Sequence, residues 1–534
     1  MSVKVEDFAE EPSKKKPGKD NKKTKHWKKF VKFMLVLQAV ASLVALGLVA
    51  ILKMLPTDYY LCIAIFLLAL WFVALILLGT GTKKKDKVAL KKKRTAGVVF
   101  SALVTLICIL VSVVVGKLIA TMNQVSSQTT AEETIGVYVR SDDPAESIED
   151  AKDYTFGITD YYEADYKNTV ATIDDINDTL GSEITTTTYD SITDMVTALY
   201  NGEISAMIMD EAYQDVLADQ DDFENIADDT RIIFEHVIET ELDNDDAVSD
   251  ITKDPFIVYI SGSDTRSTTL AKSRSDVNIL AVVNPTTKEI LLVNTPRDYY
   301  VTVPMSTTLK DKLTHCGLYG VDCSMETLGN LYGVDVNYYA QINFTGLETL
   351  VDAVGGITVE SDRAFTSSSK ASTDGSKYSF VEGENVLNGK QALAFARERK
   401  NLSDGDLGRG IHQMAVIKAL ISKMTSPAII TGYMDIMDSV ADMTATDVSS
   451  DDISALVQMQ IDDGASWHVS SYAVTGDGQK NYTYSMPNQK SYTMIPDEES
   501  VSLAQTLMQK VINGGTITDD DLEGNTTEST ETAQ

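Results

Sequence analysis

The stretch Phe256–Tyr300, FIVYISGSDTRSTTLAKSRSDVNILAVVNPTTKEILLVNTPRDYY, decides how the rest of the chain is read. It holds three apolar, β-branched-rich runs, FIVYIS, VNILAVVN and EILLVN, bounded by Ser, Asp, Thr and Pro. Runs of that length and composition are strands. The last two are joined by Pro285–Lys288, a turn-forming segment, so they form an antiparallel hairpin. Charged residues fall at the ends of these strands. Asp264 and Arg266 close the first, Arg274 and Asp276 open the second, and Arg297 follows the third behind Pro296. Strand ends and the loops after them are where a sheet presents chemistry, because the scaffold holds them still while leaving them exposed.

Downstream of the hairpin the pattern is mixed. Helical periodicity appears at Met325–Leu331, Leu347–Val354, Gly389–Ala396, Ile411–Met424, Ile429–Met443 and Ser500–Ile512, and β-like runs at Tyr338–Asn343 and Trp467–Val474. Residues 255–515 therefore form an α/β domain. Upstream, residues 136–245 alternate short β-rich runs (GVYV, YTFGIT, ITTTTY, SAMIMD) with helix-like stretches, which makes a small accessory α/β domain. Its LYNGEISAMIMDEA segment resembles part of a solute-binding-protein lobe. Residues 123–135 are polar and read as a linker, and the Thr- and acid-rich 516–534 as a disordered tail.

The first 122 residues are of another kind. Behind a basic tail at 1–30, three apolar runs, Val31–Leu52, Leu61–Gly79 and Gly97–Ile119, each approach the roughly 20 residues a helix needs to cross hydrocarbon. Together they make a membrane anchor over 31–122. Lys14–Lys29 and Lys83–Arg94 (KKKDKVALKKKR) are basic, whereas Met54–Tyr60 is short and nearly neutral. Basic loops stay cytoplasmic, so the expected amino terminus is inside and everything after Ile119 outside.

Charge follows the same division. Residues 1–124 carry 21 Lys and Arg against 7 Asp and Glu, leaving 25 against 71 in the remainder, so a chain of net charge −32 splits into +14 and −46. Such an acidic exported region repels phosphate backbones, which excludes nucleic acid as a general partner. Cys316 and Cys323 lie close together in that region and are a candidate disulfide, with two free thiols as the alternative.

Only nine arginines follow residue 124, and six of them (Arg266, Arg274, Arg297, Arg397, Arg399, Arg409) sit in four short segments of the second domain. A guanidinium is a planar fork of donors that matches phosphate oxygens, so several converging in an acidic domain would trap a diphosphate. Taken one at a time, each could equally pair with a surface carboxylate. Arg397 and Arg399 close a helical run in AFARER, and Arg409 and Gln413 are four apart in GRGIHQ, on one helix face near an end whose dipole favours anions. Asp264 and Asp276 are candidate magnesium carboxylates; they read equally well as a turn aspartate and a strand-start acid. There is no GK[ST] loop, no HExxH and no GxSxG, and the five histidines are scattered, which argues against zinc and triad chemistry.

The segments GSDTR, RSDVNIL, NTPRDYYV, THCGLYG, INFTGLETLVDAVGGI, LNGKQALAFARER and GRGIHQ resemble, in order, the signature segments of the LytR-CpsA-Psr family. Three membrane spans followed by an accessory domain resemble its capsule-type branch. The resemblance implies a mixed sheet flanked by helices that encloses an apolar pocket for a polyprenyl chain. It further implies that Asp264 and Asp276 associate with magnesium, that Arg297, Arg397, Arg399 and Gln413 hold a diphosphate, and that Arg274 and Arg409 assist. Asp276, Arg297, Arg397 and Arg399 would then be catalytic. The implied activity is extracytoplasmic, magnesium-dependent transfer of a glycopolymer, such as capsule or a teichoic-acid-like polymer, from undecaprenyl diphosphate to peptidoglycan in a Gram-positive cell membrane. Two other expectations remain open: a polyprenyl-diphosphate hydrolase using the same site, and a non-enzymatic envelope regulator that binds lipid or sugar.

Overall fold

The structure, a computed structural model, describes residues 19–79, 87–126, 130–160, 163–218, 220, 222–241, 246–263, 273–426, 436 and 443–523. The chain divides into two compact units, Met1–Ile119 and Ala120–Gln534.

The first unit is built on helices α1 (Lys19–Leu52), α2 (Thr57–Leu78) and α3 (Lys87–Ser126), the last of which runs past the unit's end. All three are long and apolar enough to cross a membrane, over His26–Leu52, Thr57–Leu78 and Leu90–Met122. Their outward faces expose large apolar side chains, among them Phe33, Leu43, Leu61, Phe66, Ile76 and Leu106. A helix that is hydrophobic all round needs lipid or protein on every side. Between the helices a few polar groups are satisfied directly: Trp71 Nε1 donates to the Leu35 carbonyl at 3.0 Å, and Ser101 Oγ to Gln38 Oε1 at 2.8 Å.

The accessory part of the second unit contains β1 (Thr130–Arg140), β2 (Thr155–Thr159), α4 (Glu163–Leu180), β3 (Thr185–Tyr189), α5 (Ile192–Asn201), β4 (Ala206–Asp210), α6 (Tyr213–Ala218), α7 (Ile226–Asp229) and β5 (Thr230–Glu241). The strands form one sheet in the order β3-β2-β4-β1-β5. The polar stretch expected to be a linker over 123–135 is not one along its length. Helix α3 continues to Ser126, and β1 begins at Thr130, pairing Thr130 with Glu241 and Ile135 with His236. TAEET reads as linker because it is polar, yet it forms the end of a long two-stranded ribbon in which ladder pairing with β5 holds the backbone.

The remainder contains β6 (Phe256–Ser263), β7 (Ser275–Asn284), β8 (Glu289–Asn294), the short pair β9 (Tyr300–Val301) and β10 (Asp311–Lys312), α8 (Leu313–Cys316), α9 (Val321–Tyr332), β11 (Tyr338–Asn343) and α10 (Phe344–Ala353). Next come β12 (Ile357–Ser361), β13 (Phe365–Thr366), β14 (Ser379–Phe380), β15 (Gly383–Leu387), α11 (Gly389–Arg397), α12 (Asp406–Met424) and β16 (Thr444–Thr446). Then follow α13 (Ser450–Asp463), β17 (His468–Ala473), β18 (Gly476–Tyr482), β19 (Lys490–Pro496), α14 (Glu498–Ile512) and α15 (Asp519–Leu522).

Six strands make a mixed sheet in the order β16-β11-β6-β7-β8-β17. The expected hairpin is β7 and β8, antiparallel, with Asn284 opposite Glu289. Because side chains alternate along a strand, Leu280, Val282, Leu291 and Val293 pack on one face with α9 and α14. Ile279, Ala281, Ile290 and Leu292 pack on the other with Met414 of α12. Both faces are covered, which is why these strands read as nearly continuous apolar runs.

Two further expectations are corrected here. Residues 516–523 are ordered rather than disordered: Ile517 is buried in the core, and Thr518 caps α15 through a reciprocal pair with Asp521. One apolar anchor and one capping box offset a composition that otherwise reads as tail. Cys316 and Cys323 are not disulfide-bonded; both are free, buried thiols that belong to the same apolar cluster, with Cys316 Sγ 3.5 Å from Thr327 Oγ1. They pack as small hydrophobic groups between α8 and α9. The helix expected over 429–443 lies almost wholly outside the described residues.

Candidate functional site

The edge of the sheet at which β7 begins and β8 ends carries the charged residues singled out above. Asp276 is the second residue of β7, and Arg297 follows β8 across the Thr295-Pro296 turn. Arg297 Nη1 donates to Asp276 Oδ1 at 2.7 Å, and its Nε lies 3.7 Å from Asp298 Oδ2. Burial alone would push the Asp276 carboxyl up, but Arg297, Arg409 and Arg274 outweigh it and hold the group below the ordinary aspartate range. Asp276 is therefore a fixed negative charge among guanidiniums.

Helix α11 delivers Arg397 and Arg399. It starts at a reciprocal cap in which the Asn388 side chain accepts from the Gln391 N–H and Gln391 Oε1 accepts from the Asn388 N–H, both at 3.0 Å. It ends at Arg397, whose guanidinium carbon lies 3.8 Å from the centroid of the Phe344 ring. Such stacking orients a guanidinium. The turn after the helix is held by buried Glu398, whose carboxylate accepts from the backbone N–H of Arg399 at 3.0 Å, of Asn401 at 2.9 Å and of Ser368.

Helix α12 brings Arg409 and Gln413 to the same place. Arg409 is tied to Asp406 at 2.5 Å within the first turns. The helix can approach β8 only because residue 410 is glycine: a Cβ there would stand 2.2 Å from Asn294 Nδ2. Just before the helix, Arg363 makes a two-pronged contact with Asp404, at 2.7 and 2.9 Å, that fixes the loop leading into it.

The structure gathers Arg274, Asp276, Arg297, Arg397, Arg399, Arg409 and Gln413 around one cavity of about 420 Å³, together with Phe344, Ser368, Lys370, Ala371 and Lys400. Asp264 and Arg266 lie outside the described residues. Phe344, Lys400 and the supporting Glu398 were not singled out from sequence. Lys400 directly follows Arg399, a local signal that sequence carries, whereas Phe344 reads only as a core aromatic.

A second cavity of about 460 Å³ adjoins this one, between the sheet and α10 to α13. Val258, Ile260, Val277, Ala340 and Ile342 line it from the strands, and Leu347, Leu393, Val416, Leu420 and Leu456 from the helices. Phe344, Arg397 and Gln413 line both cavities. An apolar tube that ends at a ring of guanidiniums matches an amphiphile with a long hydrocarbon tail and a multiply charged anionic head.

For a divalent cation, Asp276 is the one mouth-lining carboxylate among the described residues, which contain no group of three or more candidate ligands. Magnesium is commonly held by one or two carboxylates with substrate phosphate and water completing its shell. The donor set fits a site of that kind.

Comparison with known proteins places the chain in a family. The LytR_cpsA_psr family profile matches residues 229–500, and the chain belongs to that family. It is 33% identical over 261 residues to a polyisoprenyl-teichoic acid–peptidoglycan teichoic acid transferase TagU of Enterococcus faecalis, covering 48% of this chain and 80% of that one. A Bacillus subtilis protein of the same name is 37% identical over 238 residues, covering 44% and 73%. Among solved structures, Bacillus subtilis TagV is 27% identical with a TM-score of 0.41, covering 49% of this chain and 98% of that one.

Proposed function

We propose that this protein is a membrane-anchored phosphotransferase that moves a glycopolymer from a polyprenyl diphosphate carrier to peptidoglycan, with the cationic mouth outside the cell. The carrying observation is that the apolar tube and the arginine-lined cavity adjoin, with Phe344, Arg397 and Gln413 lining both. The names of the relatives describe the same transfer from a polyisoprenyl carrier. The three apolar helices and the basic loops flanking them support anchoring with the amino terminus in the cytoplasm.

In this reading the polyprenyl chain occupies the tube and stops where the guanidiniums begin. A peptidoglycan hydroxyl attacks the sugar-linked phosphorus, forming a new P–O bond. The bond from that phosphorus to the bridging oxygen breaks, the oxygen leaves on undecaprenyl phosphate, and the hydroxyl proton passes to solvent. Arg297, Arg397, Arg399 and Arg409 hold the non-bridging oxygens, where charge moves during transfer, in a partly desolvated site. Asp276 is kept ionised by its arginine neighbours, which suits it to hold magnesium with the phosphate oxygens, assisted by Asp264, better than to accept a proton. Bound magnesium would supply further neutralisation of the diphosphate.

The test uses the full chain in nanodiscs with lipid-linked glycopolymer and peptidoglycan oligomers. Coupled product and undecaprenyl phosphate are expected only when acceptor is present. Lipid-linked polymer consumed equally well without acceptor would make the protein a hydrolase, and tight lipid binding without turnover under any metal condition would make it a regulator.

A further inference from the structure

A third cleft of about 670 Å³ adjoins the arginine-lined mouth: Arg297, Arg399 and Lys400 line both, whereas none of the three lines the apolar tube. One wall of this outer cleft is the β18–β19 ribbon. In its register Lys480 lies opposite Tyr492, and Tyr482 opposite Lys490. Residues two apart on a strand share a face, so these four form a checkerboard of ammonium groups and aromatic rings. All four are exposed, Tyr482 at 45% and Tyr492 at 48%, while the alternating positions Ser491 and Thr493 on the second strand are buried. Lys490 Nζ sits 5.3 Å from the Tyr482 ring centroid, and Lys480, Lys490 and Tyr492 line the cleft itself.

The accessory domain holds this wall. In the loop between the two strands, Met486 is buried in the accessory core, and Asn488 Nδ2 donates to Ser191 Oγ at 3.0 Å and to Asp194 Oδ2 at 2.9 Å. Gln220, also from the accessory domain, reaches the cleft. A hairpin tethered at its tip presents its face in one orientation, so its contacts need little ordering when a ligand arrives.

Tyrosine rings give flat apolar surfaces against which the C–H face of a sugar ring can stack, and lysines are compact charges for phosphate or carboxylate. Lysines gathered on a region of net charge −46 stand against the overall field. A lipid diphosphate seated at the arginines sends its hydrocarbon into the tube. Its sugars must leave on the opposite side, which is this cleft.

We infer that the outer cleft is the subsite for the first sugars of an anionic glycan donor, with Lys480, Lys490 and Tyr492 as specificity-determining contacts on a wall fixed by the accessory domain. This rests on the phosphotransferase reading and goes further by naming the substrate class.

The test measures binding to the full chain in nanodiscs. The probes are a glycerol-phosphate oligomer, a hyaluronan tetrasaccharide, neutral maltotetraose and, separately, farnesyl diphosphate. Wild type is expected to bind at least one anionic oligomer about tenfold or more tighter than maltotetraose, and which of the two wins identifies phosphate or carboxylate as the preferred charge. Lys480→Gln/Lys490→Gln should abolish that preference, and Lys480→Arg/Lys490→Arg should keep it. Lys152→Gln/Lys167→Gln, which removes the same charge elsewhere, should also keep it. Equal binding of neutral and anionic oligomers by wild type, or an unchanged preference in the Gln pair, overturns the assignment. Farnesyl diphosphate reports the mouth independently: its failure to bind wild type would count against the phosphotransferase reading, whatever the glycans do.

Discussion

The Arg297 guanidinium and the Asp276 carboxylate form a buried ion pair at 2.7 Å, their side chains only 15% and 13% exposed, at the point where two central strands meet a cavity lined by four further arginines. A pair in that position is already desolvated before any ligand arrives, so its remaining donors are aimed rather than hydrated. Arg297→Ala is expected to lower polymer transfer by about 100-fold or more, comparable to removing one preorganised donor from a reacting oxyanion. Arg297→Lys should recover little of it, since an ammonium cannot make the forked contact. Transfer rates with purified lipid-linked polymer decide; a Lys variant with full activity would remove the geometric part of the argument.

The apolar tube predicts a dependence on tail length. Leu456 lines the cavity from α13 and is absent from the set of residues it shares with the mouth. Leu456→Trp should weaken undecaprenyl diphosphate binding by roughly tenfold, the effect of burying a few fewer methylenes at about 0.8 kcal/mol each. Farnesyl diphosphate should be affected much less. Equal losses for both lipids would mean that the tail does not run along this cavity.

Gly410 sets how closely α12 approaches β8. Gly410→Ala should destabilise the folded domain by about 1–3 kcal/mol, because the added methyl meets Asn294 and the helix must move. Arg409 and Gln413 move with it, so farnesyl diphosphate affinity should fall together with the melting temperature. A variant that melts normally and binds normally would show that the helix has slack.

Asp447 gives a pH prediction. Burial pushes its carboxyl up from 3.8 to about 6, even though it accepts the Tyr339 N–H at 2.8 Å. The folded state then holds this proton more tightly than the unfolded chain, so stability declines as pH rises from about 4 to 6 and is flat above. Asp447→Asn keeps an acceptor for Tyr339 and removes the charge. It should be more stable than wild type by about 1–2 kcal/mol above pH 6, after discounting for partial exposure, and no different below pH 4. Denaturant melts at pH 4 and 7 test the sign.

Cys316 and Cys323 should both alkylate under denaturing, non-reducing conditions, each adding one label by intact mass, and both should resist the reagent in the folded protein because they are buried. A species two labels short would restore the disulfide expectation.

The hairpin and the arginine cluster could be read from sequence because each leaves a local signature: apolar runs broken by Pro285–Lys288, and a scarce residue type concentrated in four segments. The tube could not. Ile260, Ala340, Val416 and their neighbours are the same residues that would fill a solid core, and only the packing of helices over the sheet shows that a space is left between them. Glu398 was equally hidden, since in AFARER it reads as one more charge, whereas in the fold it gathers three backbone N–H groups beneath the arginines. The strand start at Thr130 and the ordered segment at 516–523 were lost for a related reason: their polar composition conceals a ladder in one case and a single buried isoleucine in the other. Spacing brought Cys316 and Cys323 to notice, but whether two nearby sulfurs bond is decided by side-chain geometry that no spacing encodes.

Because Phe344, Arg397 and Gln413 line both the hydrocarbon tube and the charged vestibule, tail and head group of one lipid would be held at adjoining surfaces. Fatty acids and detergents can enter such a tube but bring at most one negative charge to a rim built for several. The protein purified from membranes should therefore come out with assorted single-headed amphiphiles in place. A diphosphate should displace them through its head group alone, so competition between tails of equal length becomes a direct gauge of what the rim contributes.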